Sequence, residues 1–384
     1  MWKYLLSRLL QITATMLVFL TMLFFILDAQ PGDITLQYLS NPKFTPEQRI
    51  VLQRQLGLDR PPVERFAQWM SNTLSGNLGV SFIHSPRTVL DVLLERAPRT
   101  IFLFLTATLV SFFVGFLLGK IVAWQRGTFL EYSATVVGAV LYTVFTPWFG
   151  LLMIWLFGFY LKWLPLGKFL EPALWRDAPV DANFIFNRLM LTATLYVIFI
   201  TAVVAITRGL AAAQRKRLRW LALVGGAVVA IGVWMLSAYS VLAQDIVVHM
   251  ILPIMVLTAV NFGGTMLLTR ASMLETLRED YILAARAKGL PDKVVRDRHA
   301  ARNAILPVFT GLVINLPYIL SGGIITESIF SWPGMGLTLL EASVAGDTPL
   351  VMGAFLFIGI LALLAHLVAD LSYGLLDPRI RYAS

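Results

Sequence analysis

The sequence predicts an all-α integral membrane protein, a polytopic helical bundle with about eight transmembrane helices. Three observations point there. Hydrophobic residues make up 58% of the 384 positions and charged residues only 14%, too little polar surface to cover a soluble globule of this length. Apolar residues gather into runs of the ~20 residues a spanning helix needs, at 9–27, 100–123, 133–160, 189–207, 220–242, 247–268, 305–326 and 350–372. Most Lys and Arg lie between these runs, so the formal net charge of +9 has a topological origin and calls for membrane lipid, not nucleic acid, as a partner.

The first run is too long for the core of a signal peptide and lacks a small-x-small cleavage site, so residues 1–30 are expected to remain as an N-terminal transmembrane helix. Residues 31–98 are polar and carry prolines at 31, 42, 46, 61, 62, 86 and 98. Their regularly spaced Leu, Phe and Trp, with the amphipathic stretch PEQRIVLQRQLGL at 46–58, predict a small ordered extracytoplasmic subdomain bearing a surface helix. In the later runs, Pro147 and Pro317 each remove a backbone donor, the latter ahead of Gly322-Gly323. Such breaks suit a gated pathway and are also common in inert membrane helices. The runs 189–207 and 220–242 form a hairpin around the basic turn QRKRLR at 214–219.

Orientation follows from the short loops. Lys3, Arg8, Arg126, the segment 208–219, the basic stretch 270–305, Arg379 and Arg381 all fall on one side, whereas 243–246 and 327–349 contain neither Lys nor Arg. That bias puts both termini, including the tail 377–384, in the cytoplasm.

Catalytic signatures fail on inspection. Gly115 and Gly119 have three residues between them ahead of Lys120, one fewer than a phosphate loop, with no Ser or Thr for magnesium and inside a spanning run. The chain has no cysteine, and His84, His249, His299 and His366 are scattered, so no metal-ligand spacing exists. His366 and Asp370 share a helix face, a pair able to relay a proton or to tie down a helix end. The scarcity of intramembrane carboxylates counts against a proton-coupled secondary transporter.

The polar, basic island between Arg270 and Pro307 must face water. Tyr281 to Lys288 predict a short helix, ended by Gly289 in a left-handed C-cap, with Pro291 in the first turn of a second helix. Small side chains at Ala284, Ala285 and Ala287 let another protein approach the backbone, and Arg286 and Lys288 add positive charge for acidic partner groups. ARAKG at 285–289, then nine residues, then His299, Arg302-Asn303 and Leu306-Pro307 closely resembles the cytoplasmic coupling loop of permeases in the dipeptide/oligopeptide/nickel family of ABC importers. It departs from the broader importer pattern at Leu283, where Glu is expected, and in the longer reach from Gly289 to Leu306-Pro307; both departures are typical of the peptide subfamily. Pro31-Gly32-Asp33, LGLDRP (56–61), GNLGVS (76–81), RAPRT (96–100), FSWPGMG (330–336), Asp347-Thr348-Pro349 and LDPRI (376–380) also resemble family segments, in the expected order.

The resemblance implies a six-helix type I permease core within 99–376, into which the hairpin at about 189–242 is inserted as a lipid-facing or partner-binding accessory. It further implies a binding-protein-dependent importer in a bacterial or archaeal cytoplasmic (inner) membrane, in which this chain forms half of the translocation pathway. Expected partners are a second homologous permease, two ABC ATPase subunits carrying ATP and magnesium, and an extracytoplasmic substrate-binding protein. The helix Ala284, Ala285, Arg286, Ala287, Lys288, Gly289 would couple to an ATPase, while this chain would bind no nucleotide, metal or other cofactor and catalyse nothing. Peptides, nickel chelates and oligosaccharides are all cargoes of similar permeases. The competing reading is an ATPase-independent secondary transporter or channel.

Overall fold

A backbone in hydrocarbon must satisfy every N–H and C=O within its own segment, so the apolar runs have helix as their only open-chain solution. The computed structural model describes residues 2–29, 60–320 and 323–376. Pro31-Gly32-Asp33, the stretch 46–58 and the tail 377–384 lie outside the described residues, as does the side chain of Asp370. In chain order the helices are α1 (Trp2–Asp28), α2 (Pro62–Leu74), α3 (Val89–Trp124) and α4 (Phe129–Thr143). Next comes α5 (Thr146–Met153), which widens into a π-helical turn at Ile154–Tyr160, followed by α6 (Pro172–Trp175), α7 (Ala182–Ile206), α8 (Ala212–Met235) and α9 (Ser240–Thr276). The remainder comprises α10 (Asp280–Ala287), α11 (Asp292–Val294), α12 (Ala301–Leu320), α13 (Ile324–Ile329), α14 (Met335–Ala345) and α15 (Thr348–Leu376). Among the described residues six helices are long and apolar enough to cross a membrane, or seven if α4 and the α5 segment count as one broken span.

Three elements differ from expectation. The run 133–160 is not one straight helix: the chain bends by 104° between Phe129–Thr143 and Thr146–Tyr160, because Val144 turns extended and Pro147 opens a new helix. QRKRLR is no turn but the start of α8, since its Arg, Lys and Leu are good helix formers, and the reversal falls at 207–211. α3 starts at Val89, inside the predicted 31–98 segment, because Thr88 caps it by accepting from the Asp91 amide at 3.1 Å.

The described chain forms two compact units, 1–150 with 254–384, and 151–253. In the first, α3 runs the length of two buried clusters. Val89, Val92, Leu93 and Ala97 near its start pack with Met335, Leu339, Ala342, Leu350, Val351 and Ala354. Ala123 at its end packs with Met273, Ile282, Ala285, Val295, Ala300, Ala301 and Ala304. Midway, a Cβ at Gly115 or Gly119 would meet the Phe262 or Met266 carbonyl at 2.7 or 2.6 Å. The two glycines therefore serve close packing of α3 on α9, the use small-xxx-small spacing has in membranes.

Several of the separated sequence motifs meet at the Val89 end of α3. Asp347, fully buried, caps α15 through the Leu350 amide at 3.1 Å and accepts from the Ser81 hydroxyl at 2.6 Å and the Ile83 amide at 3.0 Å. GNLGVS is thereby joined to Asp347-Thr348-Pro349. Glu327, equally buried, accepts from the Thr100 hydroxyl at 2.7 Å and the Leu337 amide at 2.9 Å. Trp332 donates its indole N–H to the Arg99 carbonyl at 3.3 Å, so RAPRT and FSWPGMG form one hub.

In the second unit α7 and α8 pair antiparallel around the 207–211 reversal. Arg219 donates to Thr207 Oγ1 and to the Val204 carbonyl, both at 2.9 Å, and Tyr196 donates to the Leu223 carbonyl at 2.7 Å. The most apolar stretches of both helices bury no residue within the chain. Near the start of α9, Asp245 accepts from the Glu171 amide at 3.1 Å and Trp175 Nε1 at 2.7 Å, and His249 Nδ1 lies 2.8 Å from the Asp245 carbonyl. These contacts give His249 a structural role.

Candidate functional site

α10 is short, so its shape depends on how its ends are closed and what it rests on. Its C-terminus is a Schellman motif: the Gly289 amide donates to the Arg286 carbonyl at 2.9 Å and the Leu290 amide to the Ala285 carbonyl at 3.4 Å. Gly289 takes φ +70°, the left-handed conformation expected of it, and Leu290 packs on the cluster containing Ala285. Pro291 stands one residue outside α11 instead of within its first turn. A π-helical turn at Val295–Ala300 then leads directly into α12.

The six residues singled out from the sequence divide between two faces. Ala285, with Ile282, faces inward and is buried against the chain's own Val295, Ala300 and Ala304. Ala284, Ala287, Lys288 and Gly289 are exposed, and Leu283 beside them is 63% exposed, a large apolar side chain on an otherwise polar loop. The Arg286 guanidinium lies 5.4 Å from the centre of the Trp124 ring at the end of α3, a cation–π distance. Ala285 thus shapes the loop from within, while the presented surface is Leu283, Ala284, Ala287 and Lys288.

A second brace lies one turn back on α3. Lys120 Nζ is 3.1 Å from Asp297 Oδ1, and Arg296 clasps the same carboxylate with two hydrogen bonds of 2.9 and 3.1 Å. The Arg296 hydrogen bonds, aided by Lys120, hold the Asp297 carboxyl down at about 2, outweighing the opposing effect of partial burial, and the same pairing raises Arg296. Asn303 donates to the Tyr281 hydroxyl at 2.8 Å, and Ser272 to the Ala304 carbonyl at 3.0 Å. Behind the loop, Arg270 pairs with Glu131 of α4, which is itself held by the Gly127 amide at 2.6 Å. Lys120 and Trp124, four residues apart on one face of α3, were not legible as loop supports because their partners lie far away in sequence. His299 is half-buried and Arg302 exposed.

The arrangement is a cationic loop braced against the end of α3 by Lys120 and Trp124, with Leu283 exposed on its outer side. Among the described residues no group of three or more metal-ligating side chains is close enough to hold an ion.

Residues 209–382 match the family described as binding-protein-dependent transport system inner membrane component, and residues 1–104 match the N-terminal family of the same membrane components. A putative peptide permease of Brucella suis biovar 1 is 32% identical over 99% of this chain and 99% of its own length. The di/tripeptide transport system permease protein DppB of Pseudomonas aeruginosa is 32% identical over 92% of this chain and 90% of its own. The dipeptide transport system permease protein DppB of Escherichia coli K12 is 29% identical over 100% of this chain and 99% of its own.

Proposed function

From the premise that this chain belongs to the family of binding-protein-dependent transport system inner membrane components, we propose that it is a peptide-importing permease subunit driven through α10. An ABC importer permease provides a membrane pathway and leaves ATP hydrolysis to other chains. Peptides are the favoured cargo because relatives named for peptide, di/tripeptide and dipeptide transport align along nearly the whole chain. The working complex then contains a second homologous permease, two ATPase subunits and an extracytoplasmic binding protein, with both termini of this chain in the cytoplasm.

One observation carries the coupling role: the exposed Leu283–Ala284–Ala287–Lys288 face, held rigid by the Gly289 cap and by Trp124. Small residues admit a partner surface close to the backbone, Leu283 supplies apolar area, and Lys288 suits an acidic rim. An ATPase closing on ATP would thereby pull a braced loop, not a loose tether. Leu283→Ala tests this, since it removes the apolar area at the centre of the contact without touching the buried face. Co-purification of ATPase subunits should fall at least about tenfold, by the size expected of an interfacial anchor, while the permease still inserts. Unchanged ATPase binding and uptake would overturn the docking assignment.

A further inference from the structure

α3 touches the α10 loop at one end and the FSWPGMG segment at the other. From Thr100 to Lys120 and Trp124 within this helix is about 30–36 Å at 1.5 Å per residue. The loop end is held by Lys120–Asp297 and Arg286–Trp124. At the opposite end the Thr100 hydroxyl donates to Glu327 at 2.7 Å and itself accepts from the Met335 amide at 2.7 Å. The other Glu327 oxygen caps the start of α14 through the Leu337 amide at 2.9 Å. Glu327 thus bonds at once to α3 and to both helices of the α13–α14 hairpin, being itself part of α13. Thr100, Glu327 and Trp332 all have no exposed surface. The hub also explains the glycines of the motif: a Cβ on Gly334 would strike both Thr100 and the Glu327 carboxylate, and one on Gly336 would meet the Ile324 backbone at 2.8 Å.

We infer that Glu327 is a positioning residue, fastening the α13–α14 hairpin to the far end of α3 so that the hairpin travels with the α10 loop as one piece. The inference rests on the coupling role proposed for α10, and it adds the element at the opposite end that must follow when the loop is pulled. An untied hairpin would let α3 move without it, so ATP would be spent with less substrate moved. Burial pushes the Glu327 carboxyl up to about 7, against the pull of the hydrogen bonds from Leu337 and Thr100. A side-chain amide can keep both ties, accepting from the Leu337 amide through its oxygen and donating to the Thr100 hydroxyl oxygen through its nitrogen, which makes Glu327→Gln the conservative variant and Glu327→Ala the disruptive one.

The test uses the complete importer with its partner subunits and binding protein, reconstituted in lipid. Spin labels are introduced as non-canonical amino acids at Leu117 and Val344, exposed sites on α3 and α14, and the label-to-label distance is measured without nucleotide and after trapping with ATP and vanadate. In the unsubstituted hub the distance should be the same in both states. Glu327→Ala should broaden it or make it state-dependent and raise ATP hydrolysed per substrate imported about tenfold, the scale expected when buried donors lose their acceptor. Glu327→Gln should restore both readings to within about twofold of the unsubstituted hub. If Glu327→Ala does not assemble, Thr100→Val, which cuts the same tie from α3, is measured instead. An unchanged distance and an unchanged ATP ratio in an assembled Glu327→Ala or Thr100→Val complex would overturn the inference. Failure of the proposed function is a separate result: the unsubstituted complex itself would show no ATP-driven uptake.

Discussion

At the residue scale, the loop's form depends on a few positions whose neighbours are known. Gly289 sits at φ +70°, and a Cβ there would meet nothing within 4 Å, so any cost of substitution comes from backbone conformation alone. Gly289→Val should cost about 1–2 kcal/mol locally by forcing a β-branched residue into the left-handed region, lowering uptake per assembled complex. Gly289→Asn should keep most activity, because Asn tolerates that conformation; equal uptake by the two variants would refute the cap's role. Asp297 gives a pH prediction. Its folded pKa, about 2, is depressed, so its stabilisation is complete above the ordinary carboxylate value and is lost only as pH falls from there through about 2. Hydrogen-exchange protection of 292–300, corrected for intrinsic rates, should stay flat between about pH 6 and 8 and be lower at every pH in Asp297→Asn. Gly289's conformation was legible from its place after a small-residue helix. The inward orientation of Ala285 was not, since ARAKG reads as uniformly small and polar until Ile282 and Val295 are known to share its side.

At the scale of elements, apolar length located the helices, and composition hid their direction and true ends. The bend between Thr143 and Thr146 lies in an unbroken apolar run, where hydropathy carries no sign of a change of course and the nearby Pro147 shows only that one is permitted. α3 and α9 reach 36 and 37 residues, well beyond the spans assigned to them, because their polar ends continue as helix into the hub and the loop. The spacing of Gly115 and Gly119, dismissed as a phosphate loop, is instead a helix contact: side chains there would collide with the α9 backbone and with Thr265 and Thr269. Gly119→Leu should therefore force α3 away from α9, destabilising the fold by about 1–3 kcal/mol as overpacking does, and lower the melting temperature of the purified complex. Gly225→Leu on α8, where a Cβ meets nothing within 4 Å, is the matched control and should leave that temperature unchanged if lipid alone faces it.

At the scale of the whole molecule, the placement of charge and the order of motifs were enough to identify the architecture, while the second unit had no comparable signature. α7 falls in the interval 105–208 between the two family matches, and α8 lies within the second. The most apolar stretches of α7 and α8 bury none of their residues in this chain, and Arg219, Tyr196 and Trp234 hydrogen-bond across the pair. A helix pair tied together by such bonds needs mainly an apolar surrounding, which lipid supplies as well as protein does. Replacing 189–235 with a short polar linker removes two crossings, so the α10 loop keeps its side of the membrane, and it leaves the buried Ile185 and Phe186 in place. It also spares the Asp245–Trp175 contact, whose residues both lie outside the deletion. Uptake per assembled complex should then stay within about twofold of the full chain even where yield drops, because any lost side-by-side helix packing has no hydrophobic driving force to replace it. A complex that assembles fully, binds its ATPases and imports nothing would instead place α7 and α8 on the route of the substrate.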